Sequence, residues 1–270
     1  MRRQRTIIIG DNIIKVTAYT APNIPAHKLR CPHKGGISTA AQTKYNHKRS
    51  LEKLILKAEN TYKNGCWFVT YTFKDIHLTE KIEDVFKYLK KVIADTKKCY
   101  EQKSFKCAYI ASIEKGEKNG RIHCHVLYNH EPGINRNVFK TKWPYGKEVY
   151  CTWINAVGGD DEGNTIAGKV RYILKAPIKK TIGRAFAEPQ EFVEDISEKN
   201  FNQLLSQPIS VEKLMPGYKV IRIEPCSAGD KENTFGKIKI LLSKESNIYC
   251  CNLKDIRGYN NILYQLHYYS

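Results

Sequence analysis

No stretch of this 270-residue sequence approaches the ~18 uninterrupted apolar residues that a membrane-spanning helix needs. The opening run Met1-Arg2-Arg3-Gln4-Arg5-Thr6-Ile7-Ile8-Ile9 has too short an apolar core for a secretion signal, so a cytoplasmic protein is expected. Nine cysteines are present, yet no CxxC pair occurs and only Cys250 and Cys251 are adjacent. That excludes a zinc ribbon or a CxxC redox motif and leaves reduced core thiols. Cys31, His33 and His47 offer zinc-binding groups but at no recognised zinc spacing.

Acidic residues are scarce in one part of the chain. Residues 1–180 hold 34 of the 45 Lys and Arg but only 16 of the 27 Asp and Glu, which accounts for the whole net charge of +18. Residues 181–270 hold 11 of each and are neutral. Two units are therefore expected, 1–180 and a smaller accessory region 181–270. A strongly basic unit attracts a polyanion, and no lipid-facing amphipathic helix stands out, so nucleic acid is the expected partner and a membrane is not.

The chemistry concentrates in Arg121-Ile122-His123-Cys124-His125-Val126-Leu127-Tyr128. Side chains alternate along a strand, so His123 and His125 share one face while Ile122, Cys124 and Val126 line the other. Two imidazoles at that spacing can grip a divalent metal if a third ligand stands nearby. Glu114 is the candidate. It closes the apolar run Cys107 to Ile113, and Lys115 to Gly120 reads as the turn of a hairpin into the histidine strand. Glu114 reaches the histidine face only if it pairs with an odd-numbered residue, Arg121 or His123.

Around this hairpin the sequence predicts an ordered set of elements. Thr6–Ile9 and Ile13–Tyr19 flank Gly10-Asp11-Asn12 as a hairpin, and a helix is expected from about Ser38 to Tyr62, with Leu51, Leu54, Ile55 and Ala58 as its apolar stripe and Lys44, Lys48, Arg49, Lys53 and Lys57 around it. Cys66–Phe73 is the strongest strand, expected to be central, with Phe68, Thr70 and Thr72 on one face. A helix over about 80–100, the Glu114 hairpin, a short helix near 135–143 and a strand near 148–154 follow. The order implies an α+β fold, an antiparallel sheet with helices on one face and the histidines on the open one. Thr165 then caps a helix whose stripe is Ile166, Val170, Ile173 and Leu174, leaving Tyr172 and Lys175 to be offered to the histidine face.

Gly163 to Lys169 has the GxxxxGK spacing of a phosphate loop, but Val170 stands where a magnesium-binding Ser or Thr is required, and no buried parallel strand precedes it. An NTPase is excluded on that ground.

Three motifs, Phe68-Val69-Thr70-Tyr71-Thr72-Phe73, Glu114 with His123-Cys124-His125, and Tyr172-Ile173-Leu174-Lys175, resemble in order and spacing the HUH endonucleases, specifically the single-tyrosine replication initiators of rolling-circle plasmids, phages and related mobile elements. Ala41 to Asn46, Leu51 to Leu56 and Trp143-Pro144-Tyr145-Gly146 look like the same group, and the resemblance spans roughly residues 1–180. Cys124 departs from the bulky hydrophobe usual between the histidines, and Pro177 follows closely on Lys175. The resemblance implies a ferredoxin-like nuclease fold and Mg2+ or Mn2+ held by Glu114, His123 and His125. It implies Tyr172 as nucleophile with Lys175 beside it. Single-stranded or hairpin origin DNA would be the substrate, contacted by Thr70, Thr72, Arg121, Lys169 and Arg171. No helicase motif occurs, so a host helicase and polymerase are expected partners in a bacterial cell. A transposase or a mobilisation relaxase would use the same three motifs. A non-catalytic nucleic-acid binder would explain the charge and aromatics but not the five polar residues together.

Overall fold

The computed structural model describes residues 1–10, 13–21, 39–77, 81–116, 120–146, 148–156, 164–175, 177–225 and 237–244. In chain order the elements are β1 (Arg2–Ile9), β2 (Ile13–Thr20), α1 (Ala40–Thr61), β3 (Cys66–Thr72), α2 (Ile82–Glu101), β4 (Tyr109–Lys115), β5 (Ile122–Asn129) and α3 (Arg136–Thr141). They continue with β6 (Val149–Ile154), α4 (Ile166–Leu174), β7 (Lys179–Ile182), β8 (Gln190–Asp195), α5 (Glu198–Ser206), β9 (Tyr218–Pro225) and β10 (Lys237–Lys244). Two compact units result, Leu54–Glu188 and Met1–Lys53 with Pro189–Ser270.

The first unit is an antiparallel sheet in the order β6-β3-β5-β4-β7. The run β3-α2-β4-β5-α3-β6, with those four strands ordered fourth, first, third, second, is the split β-α-β arrangement of ferredoxin-like folds. The expected α+β class holds. The middle strand is β5, which carries the histidines, whereas β3, expected to be central, is interior but second in the order.

Strand alternation and helix periodicity build one core. Val69, Tyr71 and Phe73 of β3 and Cys124, Val126 and Tyr128 of β5 face Val85, Leu89, Val92, Ile93 and Tyr100 of α2, with Phe139 of α3 completing the layer. Each such side chain gains about 1.5–3 kcal/mol from burial, and Leu89→Ala would cost roughly 2–5 kcal/mol. The other face of the sheet carries the histidines. α4 packs against β4 and β5 on that side, and Tyr62, just past α1, is fully buried with its hydroxyl 3.5 Å from the carbonyls of Ala108 and Leu127. That face is thus open only in part, and α4 stands where sequence expected it.

Two glycines hold this unit together by their lack of a side chain. Gly65 takes φ +90° where the chain turns out of α1, and a Cβ there would lie 2.3 Å from the Trp153 ring. At Gly146 a Cβ would lie 1.9 Å from the Thr72 carbonyl, which accepts a 2.7 Å hydrogen bond from Trp143 Nε1. The Trp143-Pro144-Tyr145-Gly146 stretch therefore closes over the end of β3.

The second unit is another antiparallel sheet, β8-β1-β2-β10-β9. Ile14, Val16, Ala18, Ile238, Ile240 and Leu242 pack beneath Phe201 and Leu204 of α5. The boundary expected at Lys180 followed the change in charge and put β1 and β2 with the histidine strands. The structure instead pairs β1 with β8 and β2 with β10, so the region after Pro189 shares a sheet and a core with the N-terminal hairpin. Gly158–Gly163, Cys31 and His33 lie outside the described residues.

Candidate metal centre and its tyrosine

The β4–β5 register pairs Glu114 with His123 and Ser112 with His125, one of the two alignments the alternation rule allowed for Glu114. Glu114, His123 and His125 consequently converge, each offering a ligand atom within 4.8 Å of the others. β3 supplies the next layer on the same face, where Thr70 pairs with His125 and Thr72 with His123.

Each ligand is held by a neighbour. Thr70 Oγ1 lies 2.9 Å from His125 Nδ1, and Ser112 Oγ donates to Glu114 Oε1 at 3.2 Å. His123 Nδ1 is 3.3 Å from the Arg121 carbonyl, which can only accept, so that nitrogen carries the proton and Nε2 keeps its lone pair. The same tautomer in His125, Nδ1–H donating to Thr70, leaves its Nε2 as a buried atom with no hydrogen-bond partner. A buried ring nitrogen without a partner costs free energy unless something occupies it. Two neutral imidazoles and a carboxylate form an ordinary donor set for a divalent cation, with open positions left for a substrate oxygen, and the residues present fit that group.

Electrostatics agree. Burial, reinforced by His123 and Lys169, pulls His125 down to about 3, so the ring is neutral at neutral pH. Its Nε2 lies 3.7 Å from Glu114 Oε2, a separation at which a neutral ring forms no ion pair. Burial raises the Glu114 carboxyl despite the opposing Ser112 hydrogen bond and His123. A cation between them would remove both penalties. Burial pushes up the thiols of Cys66, Cys107 and Cys124, so they stay protonated, as expected of core cysteines.

α4 brings the tyrosine. Thr165 Oγ1 accepts from the Gly168 amide at 2.9 Å and caps the helix, while Ile166, Val170, Ile173 and Leu174 are buried. That leaves Tyr172 49% exposed, with its ring 5.3 Å from His125 and 6.1 Å from Phe68. Lys175 is exposed at the C-cap of the same helix, on the turn next to Tyr172.

The expected DNA-contacting residues surround this centre in different ways. Thr70 is committed to His125, and Thr72 Oγ1 donates to the Glu148 carbonyl at 2.9 Å. Arg121 bonds the Phe73 carbonyl at 3.0 Å and Asp75 at 2.7 Å, lining a groove with Thr72, Lys74 and Glu148. Lys169 places its ammonium 4.9 Å from the Phe68 ring, and Arg171 is exposed on α4. Phe68, stacked at 5.1 Å and 17° on His125, and Ser112 were not singled out from sequence as site residues. Period-two counting back from Glu114 would have found Ser112.

A basic α+β domain carrying a built cation site beside an accessible tyrosine has the parts of a protein that handles polyanions. Residues 66–177 match the family described as Replication-associated protein ORF2, so this segment is a replication-associated protein domain. It runs from the first residue of β3 to just beyond α4 and contains Thr70, Glu114, His123, His125, Tyr172 and Lys175. The match ties the chain to DNA replication and to DNA as its partner. No curated protein and no solved structure matches the chain. Among the described residues no helix is long and apolar enough to cross a membrane.

Proposed function

We propose that the unit Leu54–Glu188 nicks and rejoins single-stranded or hairpin origin DNA with Tyr172 as nucleophile, starting rolling-circle replication. The observation that carries this reading is the Tyr172 ring 5.3 Å from His125, within one cluster of Glu114, His123 and His125. Mg2+ or Mn2+ bound by those three residues would polarise the scissile phosphate and offset its charge.

The chain's own groups do the rest. The phenolic oxygen of Tyr172 attacks phosphorus as its proton leaves, the bond from phosphorus to the 3′ oxygen breaks, and that oxygen takes up a proton. A 5′-phosphotyrosine and a free 3′ hydroxyl result, and reversal rejoins the strand. An unperturbed phenol loses its proton only near pH 10, so the reaction depends on lowering the charge cost at phosphorus. Lys175, on the turn beside Tyr172, is the residue to neutralise a phosphate oxygen or the adduct. Thr70 and Ser112 orient the ligands, and Arg121, Lys169 and Arg171 supply positive charge along the approach. A host helicase and polymerase would extend the free 3′ end in the bacterial cytoplasm.

The test is capture of the covalent adduct on a denaturing gel, using a pooled single-stranded DNA library with Mn2+. An adduct is expected from the wild type and not from Tyr172→Phe or His123→Ala. An adduct that survives Tyr172→Phe would overturn the assignment of the nucleophile, and none from the wild type despite DNA binding would favour a non-catalytic binder.

A further inference from the structure

Residues 39–50 are exposed without a break, although 40–50 form the first three turns of α1. A helix that packs on one side shows a buried stripe, and α1 does so only from Ile55 and Ala58 onward. Its N-terminal half is cationic: Lys44, Lys48 and Arg49 occur with no acidic residue between Thr39 and Leu51. Thr39 Oγ1 accepts from the Gln42 amide at 3.2 Å, which helps hold the first turn.

The side chains on this half are not a random polar set. At 100° per residue, Gln42, Asn46, Arg49 and Lys53 fall within about 60° of one another and opposite Ile55 and Ala58. Gln42 Nε2 donates to Asn46 Oδ1 at 3.0 Å, so the two amides already stand in register one turn apart. Gln and Asn pair bidentately with adenine and Arg with guanine, on base edges that an α-helix reaches in the duplex major groove. Lys48, by contrast, lies two turns before Ile55 on the opposite side of the helix.

We infer that the N-terminal half of α1 enters the major groove of double-stranded DNA and reads its sequence through Gln42, Asn46 and Arg49. This is a second DNA-binding function, for duplex rather than for the nicked single strand, and it rests on DNA being the partner as proposed above. Charge complementarity selects a polyanion, and the paired amides beside an arginine select base edges over bare phosphate.

Selection of full-length protein against a random-sequence 30-base-pair duplex library, without added metal, tests the inference. The wild type should enrich a short motif. Gln42→Ala, Asn46→Ala and Arg49→Ala together should lose the preference by roughly 10-fold or more over random duplex. Arg49→Gln should relax one base position, whereas Lys48→Gln, with the same change in charge on the opposite face, should leave the motif unchanged. No motif from the wild type, the same motif from the triple variant, equal effects of Arg49→Gln and Lys48→Gln, or displacement by equimolar single-stranded DNA would each overturn it. Adduct formation on single strands by the triple variant verifies its fold and keeps this test separate from the nicking one. Enrichment with no adduct from the wild type would sink the nicking proposal and leave this one standing.

Discussion

Replacing Thr70 by valine keeps the shape and strand preference of the side chain and removes one hydroxyl, the group 2.9 Å from His125 Nδ1. His125 is only 5% exposed, so water does not replace the lost partner. Leaving a buried ring nitrogen unpaired costs about 1–3 kcal/mol of folding stability. The larger consequence is for the cation, because nothing then favours the tautomer that presents Nε2. Loss of such an outer partner lowers metal affinity by about 10- to 100-fold, or roughly 1.4–2.7 kcal/mol. Calorimetric titration with Mn2+ reads this directly and needs no DNA. Thr70→Ser should recover most of the affinity, since it restores the hydroxyl. Mn2+ binding equal to wild type in Thr70→Val would refute the outer-partner role, and equal loss in the serine variant would mean that packing, not the hydrogen bond, is what matters.

Further expectations can be measured separately. In metal-free protein His125 titrates near 3 when folded and near 6.5 when unfolded, so the unfolded state binds the extra proton between those values. Stability present above pH 6.5 should fall as the pH drops, by about 2–3 kcal/mol at pH 4.5. Glu114, raised in the folded state, acts in the opposite sense as the pH rises. Urea unfolding of wild type and His125→Leu at pH 7 and 4.5 should show the steeper acid loss in the wild type, and parallel losses would contradict it. Gly146→Ala would drive a methyl into the Thr72 carbonyl and the Trp143 ring, so its melting curve should reveal a loss of at least about 2 kcal/mol. Tyr150, 56% exposed, pairs with Thr70 and so shares the face of His125. Tyr150→Ala should weaken anisotropy-measured binding of oligothymidine by about 1–3 kcal/mol, Tyr150→Phe should not, and an unaffected alanine variant would exclude stacking there.

The candidate site was legible where its parts are close in sequence. A two-residue period put His123 and His125 on one face, and a short turn left Glu114 few registers to adopt, of which the structure has the Glu114–His123 pair. α4 was legible for a similar reason: a cap at Thr165 and an apolar stripe leave Tyr172 outward. Other features depend on partners far along the chain. β8 was not read at all, because Gln190–Asp195 is exposed throughout and carries no apolar alternation. It is held as a strand by β1, with Arg3 bonded to Asp195 and Arg5 to Glu191.

Local pattern therefore determined the elements, the ligand face and the charge of the DNA-facing portion, since each depends on periodicity over a few residues. Tertiary structure decided which strands share a sheet, uniting the first 20 residues with β8 and β10. It also set the distances that matter for chemistry: Tyr172 at 5.3 Å from His125, Phe68 stacked on that ring, and Thr70 at its far nitrogen. Those distances follow from packing α4 against β4 and β5 and from the β3–β5 register, contacts between segments far apart in the chain that no local period encodes.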